Sequence, residues 1–315
     1  MDVLCVGEMV IDFLPGEESG CYIRNAGGAP ANVAIAVARN GLRSGFLGKV
    51  GDDDFGRFLI SVLEENAVEN VCKEMTSQAV TTMAFVTLHE GGERTFTFAR
   101  KPGADMLLSI DDINPEVIEQ STIVHAGSCS LSKSPAAEAT MKALALAHEH
   151  GKLVTFDVNY RNLLWDGDEA AAVAAVRRIL GFVDFLKISE EEVTLFGGEE
   201  SLLQLMRENG ITLVVETLGA AGARCFLDGE IIEVEGRKAN AVDATGAGDA
   251  FWGGFLSSLI EQGVTAISTL SSKKIRLAME YGNVAGWVCV QSKGAIASLP
   301  TKAQIQQYLN NRNSQ

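Results

Sequence analysis

The sequence predicts an α/β protein whose mostly parallel sheet is covered by helices on both faces. From about residue 123 onward, short apolar runs alternate with Ala-rich amphipathic segments, which is the order of repeated β-α-β units. The apolar runs lack polar alternation, as expected of parallel strands that are buried on both faces. Because large open α/β sheets use this length for one core, we expect residues 1–315 to form a single domain.

The core elements are predicted in chain order. The first third of the chain supplies a strand at residues 3–7, a helix at 31–40 and a strand near 46–49. Further strands are predicted at Ile123–Ala126, Leu153–Asp157, Val183–Ile188 and Leu213–Thr217. Amphipathic helices are predicted at Ala136–His150, Glu169–Leu180 and Glu199–Asn209, and an apolar helix at Ala250–Ile260. Ligands of such a sheet gather beyond the carboxyl ends of its strands, so we expect the site there.

Two stretches depart from this pattern and predict a small second sheet. Residues Met83–His89 and Glu93–Ala99 alternate polar and apolar side chains around Glu90-Gly91-Gly92, which indicates a β-hairpin. Residues Phe13–Ile23 are short, Gly-punctuated and β-like. We expect these pieces, about residues 12–26 and 81–102, to pair into a lid that projects from the core.

The charge balance limits the partners of the protein. With 26 Lys and Arg against 41 Asp and Glu, the net charge is -15, which argues against nucleic acid and anionic membrane as partners. A small molecule is the expected partner. If that molecule carries phosphates, helix N-termini, a few Lys or Arg and bound cations must make the site locally positive.

Cysteine usage indicates a cytoplasmic protein with reduced thiols. The six cysteines form no CxxC pair and the four histidines lack metal-ligand spacing, which disfavours a disulfide framework and a zinc site. The chain enters its first strand without a basic region, so no signal peptide is expected. No uncharged apolar run reaches the length that spans a bilayer.

The first segment with chemical potential is Gly246-Ala247-Gly248-Asp249, which precedes an apolar helix. The backbone N–H groups at the start of this helix are expected to form an anion hole that stabilises a transferring phosphoryl group. Asp249 lies at the mouth, where the positive helix end favours its ionised form and lets it accept a proton. From these residues alone, a catalytic base and a helix cap remain equal interpretations of Asp249.

A second segment, residues 27–32, reads Gly-Gly-Ala-Pro-Ala-Asn and combines close backbone approach with a helix start at Pro30. Asp12 and Asn32 can exchange hydrogen bonds with sugar hydroxyls, although either residue alone is more often a turn or cap residue. Three strand ends are expected at the same edge of the sheet: Asp157-Val158-Asn159-Tyr160-Arg161, Lys187-Ile188-Ser189 and Thr217-Leu218-Gly219.

Neither common nucleotide fingerprint occurs in the chain. There is no Gly-x-x-x-x-Gly-Lys-Ser/Thr and no Gly-x-Gly-x-x-Gly after a strand, so an ordinary phosphate loop and a dinucleotide-dependent oxidoreductase are both disfavoured. A titration with NADH separates the oxidoreductase from the remaining hypotheses. A phosphate site of another construction is required.

The two glycine segments together resemble the ribokinase-like carbohydrate kinases, the PfkB family, over essentially the whole chain. The N-terminal motif fits Gly27 to Ala34 followed by Gly41 and Gly51, and the C-terminal motif fits Asp243 to Asp249 followed by Gly253-Gly254-Phe255-Leu256. Ala244 departs from the family, which has Thr, Ser, Pro or Val there. The resemblance implies a ribokinase-like three-layer α/β/α core with a mostly parallel sheet and a small β-sheet lid.

The resemblance also implies roles for individual residues. Asp249 is the expected catalytic base, with Gly246, Ala247 and Gly248 as the anion hole. The expected sugar-binding residues are Asp12, Gly27, Gly28, Asn32, Phe98, Arg100 and Arg161, and packing within the lid is a second interpretation of Phe98.

For the nucleotide and its cations, the resemblance implies ATP, Mg²⁺ and a monovalent cation, K⁺. The expected nucleotide-binding residues are Asn159, Lys187, Ser189, Thr217, Leu218, Gly219, Gly222 and Asn283. Glu192 is expected to organise Mg²⁺ indirectly, although Glu190 to Glu192 also fit a solvated helix start. The expected K⁺ ligands are oxygens of Asp243, Thr245, Cys289, Ser292 and Gly294.

Within the family the sequence is most similar to the fructokinases, through Gly7-Glu8-Met9, residues 103–108, and residues 157–161 with Leu164-Trp165. The 2-keto-3-deoxygluconate kinases and aminoimidazole riboside kinases are similar in the same places and remain alternatives. A sugar- or nucleotide-binding regulator without turnover is the alternative from another class. Related lids pair between subunits, so a homodimer through the lid is expected.

Overall fold

The computed structural model describes residues 1–18, 20–88 and 94–312, where strands and helices alternate along the chain. The strands are β1 (Val3–Val6), β2 (Val10–Pro15), β3 (Tyr22–Gly27), β4 (Ser44–Leu47), β5 (Val68–Asn70), β6 (Met83–Leu88), β7 (Arg94–Ala99), β8 (Ile123–Gly127), β9 (Leu153–Asp157), β10 (Phe185–Ser189), β11 (Leu213–Thr217), β12 (Gly222–Leu227) and β13 (Glu230–Glu235). The helices are α1 (Ala29–Arg39), α2 (Asp54–Glu65), α3 (Pro115–Glu119), α4 (Ala136–Glu149), α5 (Glu169–Arg177), α6 (Glu190–Val193), α7 (Glu199–Asn209), α8 (Ala247–Glu261), α9 (Ser272–Cys289), α10 (Ala295–Ser298) and α11 (Lys302–Arg312).

The large sheet has the strand order β13-β12-β11-β10-β9-β8-β1-β4-β5. The pairs from β11 to β5 are parallel, and β12 and β13 add an antiparallel hairpin at one edge. Because the seven parallel strands point the same way, their carboxyl ends form one edge of the sheet. The predicted mostly parallel sheet is therefore confirmed.

Two apolar cores lie on opposite faces of this sheet, which makes the fold three-layered. In β1, Val3 and Cys5 belong to one core and Leu4 and Val6 to the other, because successive strand residues face opposite sides. Helices α1, α2, α8, α9 and α11 contribute to the first core, and α3, α4, α5 and α7 to the second. Burial on both faces explains why the strands carry apolar residues at consecutive positions.

A second, four-stranded sheet has the order β3-β2-β6-β7. It contains the predicted hairpin strands, and the predicted hairpin turn, Glu90-Gly91-Gly92, lies outside the described residues. Phe13 and Phe85 stack with ring centroids 4.9 Å apart, and Phe55 of α2 meets Phe13 edge to face. This aromatic contact fixes the small sheet against the core at α2. The role of the sheet as a lid stays a prediction.

Of the helices in the described ranges, none combines the length and the apolar character needed to cross a bilayer.

Candidate active site

The start of α8, where the sequence predicts an anion hole, lies beside Lys187 of β10. Gly246 is the N-cap and adopts a left-handed backbone with φ 80°, which glycine reaches at little cost. The N–H groups of the first helical turn have no acceptor within the helix. The Ala247 N–H already donates to the carbonyl of Ala244 at 3.2 Å. A Cβ on Gly248 would lie 3.3 Å from the Lys187 Nζ, so an ammonium group faces this turn.

Asp249 is the third residue of α8 and does not occupy the cap position. Its Oδ2 accepts a hydrogen bond from Asn32 Nδ2 at 2.7 Å, which joins the two glycine segments across 217 positions of sequence. Burial raises the pKa of Asp249, and the Asn32 amide and Lys187 oppose this rise. The sequence suggested that the positive helix end keeps this carboxyl ionised. In the structure, burial, the Asn32 amide and Lys187 also act on its charge. A buried carboxyl with a raised pKa has the character of a general base.

Lys187 forms a buried ion pair with Asp157 beside this carboxyl. The Nζ of Lys187 lies 2.5 Å from Oδ2 of Asp157, and the side chains are 7% and 3% exposed. Burial alone would lower the pKa of Lys187, but Asp157 and, further away, Asp249 and Glu192 reverse the effect and raise it. The other oxygen of Asp157, Oδ1, is buried without a hydrogen bond from any described residue. The pair keeps a positive charge fixed at the start of α8.

Asp12 lies on β2, opposite Asn25 of β3, and shares its surroundings with the glycines of the N-terminal motif. Burial raises the pKa of Asp12 to about 6. A Cβ on Gly27 would lie 2.2 Å from Asp12 Oδ2, and a Cβ on Gly28 would lie 2.5 Å from the Glu8 carbonyl oxygen. These contacts explain both glycines, because any side chain would displace Asp12 or the backbone at Glu8.

The loops after β9 and β10 converge on the carboxylate of Glu192. Its Oε1 accepts the N–H of Tyr160 at 2.5 Å, and its Oε2 accepts the N–H of Ser189 at 2.9 Å. Glu192 is buried, which raises its pKa, and it is thus unlike the solvated helix start that its acidic neighbours suggest. Asn159 adopts a left-handed backbone with φ 37°, and the exposed Arg161 acts electrostatically on Asp249.

The predicted nucleotide segment lies further along the same edge. The Leu218 N–H donates to the Gly222 carbonyl at 2.8 Å, which closes the turn between β11 and β12. Thr217 is half-buried and Gly219 exposed, so this turn is open to solvent. Asn283 of α9 donates at 3.3 Å to the carbonyls of Val234 and Glu235, and it packs against the β12–β13 hairpin.

Asp243 joins the two loops that hold the predicted cation ligands. Its Oδ1 accepts both the N–H of Thr245 at 3.0 Å and the Thr245 hydroxyl at 2.7 Å, and its Oδ2 accepts the Gly294 N–H at 3.0 Å. Cys289 Sγ lies 3.8 Å from the Thr245 carbonyl oxygen. Ser292 is exposed beside them and donates its N–H to the Cys289 carbonyl. Direct contacts thus link all five predicted ligands, and Ser292 joins the set through its backbone N–H.

Phe98 and Arg100 lie at the junction of the small sheet and the core. Phe98 is half-buried on β7 and pairs with Ala84. Arg100 is 9% exposed, and its Nε and Nη2 both donate to Asp105 Oδ2, at 2.9 and 2.7 Å. Its Nη1 donates to the Ser132 hydroxyl at 3.2 Å. The structure gives Arg100 protein partners, and its contact with a sugar stays a prediction.

Three acidic residues of this region were missed as site residues in the sequence. Asp157 pairs with Lys187, Asp105 holds Arg100, and Glu8 Oε1 accepts the Ala29 N–H at 3.2 Å. Each is at most 6% exposed. The sequence does contain a signal for two of them: Asp157 and Glu8 are acidic residues that end or follow an apolar strand. Because such charges are buried only with partners, each indicates a partner nearby.

A model of the "pfkB family carbohydrate kinase" matches residues 1–302 of the chain. The chain is 40% identical to "Probable fructokinase-5" of Arabidopsis thaliana over 324 aligned residues, covering 98% of this chain and 98% of that protein.

Solved structures are similar over the same extent. A fructokinase with bound ATP from Xylella fastidiosa has a TM-score of 0.91 at 29% identity and covers 99% of each chain. The Vibrio cholerae O395 fructokinase, in its fructose, ADP and calcium ion bound form, has a TM-score of 0.86 at 36% identity and covers 98% of each chain. A double mutant of that enzyme, in its fructose, ADP and potassium ion bound form, has a TM-score of 0.88 with the same identity and coverage.

Proposed function

The chain belongs to the pfkB family of carbohydrate kinases, and on that premise we propose that it transfers the γ-phosphoryl group of ATP to a hydroxyl of fructose. One observation carries the chemistry: the Asp249 carboxyl, held by Asn32, lies at the N-terminus of α8 beside the Lys187 ammonium. A base, an anion hole and a fixed positive charge are what transfer of a phosphoryl group requires.

In the proposed reaction, Asp249 takes the proton from the sugar hydroxyl as that oxygen attacks the γ-phosphorus in line. The bond between the γ-phosphorus and the bridging oxygen breaks, and ADP leaves with the bond's electron pair. The helix N-terminus and Lys187 balance the negative charge on the transferring group without reorganising. The small sheet acts as the lid that excludes water, which otherwise competes as the acceptor.

Mg²⁺ and K⁺ are the cations we propose for this site. Glu192 suits an indirect role toward Mg²⁺, because both its carboxyl oxygens already accept backbone N–H groups. When bound, Mg²⁺ supplies charge neutralisation on the ATP phosphates. Oxygen donors around Asp243 and Thr245 suit a hard monovalent cation, and a related fructokinase is described with a potassium ion. Exchanging K⁺ for tetramethylammonium in the assay measures how far kcat depends on K⁺.

Fructose is the proposed sugar because the curated relative and the structures with bound ligands carry the fructokinase name. An aminoimidazole riboside kinase from Salmonella enterica is similar at 30% identity, which keeps a riboside as the alternative. The test is ADP release with fructose, ribose, 2-keto-3-deoxygluconate and aminoimidazole riboside. We expect the highest kcat/KM with fructose, and a higher value with another sugar would reassign the substrate.

A regulator that binds ATP or sugar without turnover is the alternative from another class. The complete Gly-Ala-Gly-Asp segment and its contact with Asn32 oppose it. ATP binding without ADP release for all four sugars would support it.

We also propose that two copies of the chain pair through the small sheet. Strand β3 is an edge of that sheet, and Tyr22 and Ile23 on it are 48% and 56% exposed. An edge strand with exposed apolar side chains offers a surface for pairing. Light scattering at micromolar concentration measures the mass of the particle. The cytoplasmic location expected from the cysteines stays a prediction.

Gly27→Ala is expected to lower kcat/KM for fructose by roughly 10²-fold while KM for ATP changes little, because misplacing a substrate-positioning group by about 1 Å has this effect. The added Cβ would lie 2.2 Å from Asp12 Oδ2 and would push the carboxyl away. Steady-state kinetics with each substrate varied in turn measure the split. Gly181→Ala is the matched control, since its Cβ meets no atom within 4 Å, and it should behave as wild type.

Binding of fructose is expected to weaken as the pH falls through about 6, where Asp12 becomes protonated and loses acceptor strength. Calorimetric titrations between pH 5 and 7.5 should show this trend in the wild type and a weaker, flatter profile in Asp12→Asn. Because the pKa of Asp12 is 3.8 in the unfolded chain and about 6 in the folded protein, ionisation of Asp12 lowers the free energy of unfolding as the pH rises between these values. Asp12→Asn should therefore be no less stable than the wild type at neutral pH. Equal pH dependence in both proteins would contradict the assignment.

A further inference from the structure

A buried carboxyl that the proposed mechanism does not use lies where the two sheets meet. Glu8 follows β1, is 6% exposed, and its Oε2 has no hydrogen-bond partner within the described part of the chain. Its Oε1 accepts the backbone N–H of Ala29 at 3.2 Å. The backbone N–H of Glu8 itself and the Cys129 thiol also act on this carboxyl, so the contact with Ala29 is one of several that offset its burial.

That contact caps the helix that carries Asn32. Ala29 is the first residue of α1, its N-cap is Gly28, which has no side chain to cap with, and Pro30 has no N–H. The first N–H groups of a helix need acceptors from outside it, which a Ser, Thr or Asp at the N-cap usually supplies. Glu8 supplies the acceptor here from the segment between β1 and β2.

The capped turn leads directly to the proposed base. Asn32 lies three residues after Ala29, within the first turn of α1, and its Nδ2 donates to Asp249 Oδ2 at 2.7 Å. Since a helical turn is rigid, the position of Ala29 sets the position of Asn32. The backbones also touch, because a Cβ on Gly28 would lie 2.5 Å from the Glu8 carbonyl oxygen.

Glu8 also belongs to a cluster of polar side chains where the chain passes between the core and the small sheet. Thr82, which precedes β6, donates to Asp105, and Arg100, which follows β7, forms its buried ion pair with the same carboxylate. Burial raises the pKa of Glu8 to about 7, with Asp105 adding to the rise and Arg100 opposing it. The Glu8 carboxyl thus contacts the start of α1 and is also influenced by the charges of Asp105 and Arg100.

We infer that Glu8 is a positioning residue for the proposed phosphoryl transfer, holding the first turn of α1 so that Asn32 aims the Asp249 carboxyl at the sugar hydroxyl. The inference rests on the proposed function, because Asp249 matters in this way only if it takes a proton. In this inference Glu8 acts through Asn32 and is assigned no direct contact with the substrate.

A double-mutant cycle on kcat with fructose tests this chain of contacts. Glu8→Ala should lower kcat about tenfold and change both KM values by less than about twofold, since it removes alignment and leaves binding. Glu8→Gln keeps an oxygen acceptor for Ala29 and should restore most of the rate. In the Asn32→Ala background, Glu8→Ala should change kcat by less than about twofold, because residues that act through one another are not additive. If Glu8→Ala does not fold, Glu8→Asp takes its place.

Asp184→Ala is the matched control. Asp184 also accepts a backbone N–H with a carboxyl oxygen, that of Val154 at 2.8 Å. Asp184 directly precedes β10, so it lies at the edge of the sheet opposite the site. Asp184→Ala should lower the thermal midpoint and leave kcat unchanged. Additive effects of Glu8→Ala and Asn32→Ala, or a Glu8→Gln enzyme as slow as Glu8→Ala, overturn the inference. A wild type without turnover overturns the proposed function and this inference together, whereas an active wild type with additive variants overturns this inference alone.

Discussion

Asp249→Asn is expected to reduce kcat with fructose by ~10²-fold or more, since a general base contributes at least that factor. The amide has the size of the carboxyl and retains an oxygen that can accept from Asn32 Nδ2, so the start of α8 should keep its geometry. KM for ATP and for fructose should therefore change little. Steady-state kinetics and circular dichroism of the variant measure both parts of the expectation.

Asp184→Asn is the control for Asp249→Asn, because it makes the same chemical change at a partly buried carboxyl remote from the site. Its kcat should equal that of the wild type. If Asp249→Asn retains more than roughly a tenth of the wild-type kcat, the base assignment is wrong. The carboxyl would then be a structural partner of Asn32.

Lys187→Met is expected to lower the free energy of unfolding by about 3–5 kcal/mol, because it leaves Asp157 charged and buried without its partner. The pair has an Nζ–Oδ2 distance of 2.5 Å, and both side chains are less than a tenth exposed. Urea unfolding followed by fluorescence measures the change. The same variant should lose most of its kcat, since the ammonium faces the start of α8.

Two further variants test whether the loss of stability in Lys187→Met comes from the unpaired, buried charge of Asp157. Adding Asp157→Leu to Lys187→Met should recover much of the stability, because replacing both charges removes the unpaired one, yet activity should stay low. Lys133→Met breaks an ion pair with Asp166 whose side chains are 50% and 65% exposed, and it should lower stability by less than about 1 kcal/mol. A Lys187→Met protein as stable as Lys133→Met would contradict this account.

The strand bounds were predicted correctly where turn residues flank an apolar run. Strands β9 and β11 have the predicted bounds, Leu153–Asp157 and Leu213–Thr217. Strand β10 begins at Phe185, two residues later than predicted, because Leu180–Phe182 form a 3₁₀ turn and the Asp184 carboxylate accepts the Val154 N–H. Such a contact between distant segments leaves no periodic signal in the sequence.

Helix bounds differed from prediction for local reasons. Helix α8 begins at Ala247, three residues before the predicted start, since Gly246 takes the left-handed cap position and the helix continues through the motif. Helix α5 ends at Arg177 and not at Leu180, because the chain turns there to enter β10. Both differences concern ends, where short-range contacts outweigh hydrophobic periodicity.

The candidate site was predictable in its members and not in its pairings. Strand ends and glycine motifs indicated Asp12, Asn32, Lys187 and Asp249, and the structure brings the last three of these together. The sequence placed Asp157 in a strand end at this edge and named Glu8 in a motif, but their contacts were not predicted, because a buried carboxyl is explained only by the tertiary neighbour that satisfies it. The Arg100–Asp105 ion pair was hidden for the same reason.

The central claim is that this chain moves a phosphoryl group from ATP to fructose, and ³¹P NMR of the reaction mixture tests it most directly. With ATP, Mg²⁺, K⁺ and fructose, we expect one fructose phosphate for every ADP formed. Asp249→Asn under the same conditions should give neither product at a comparable rate. ADP accompanied by inorganic phosphate in place of the sugar phosphate, or unchanged ATP in the presence of bound nucleotide, would contradict the claim.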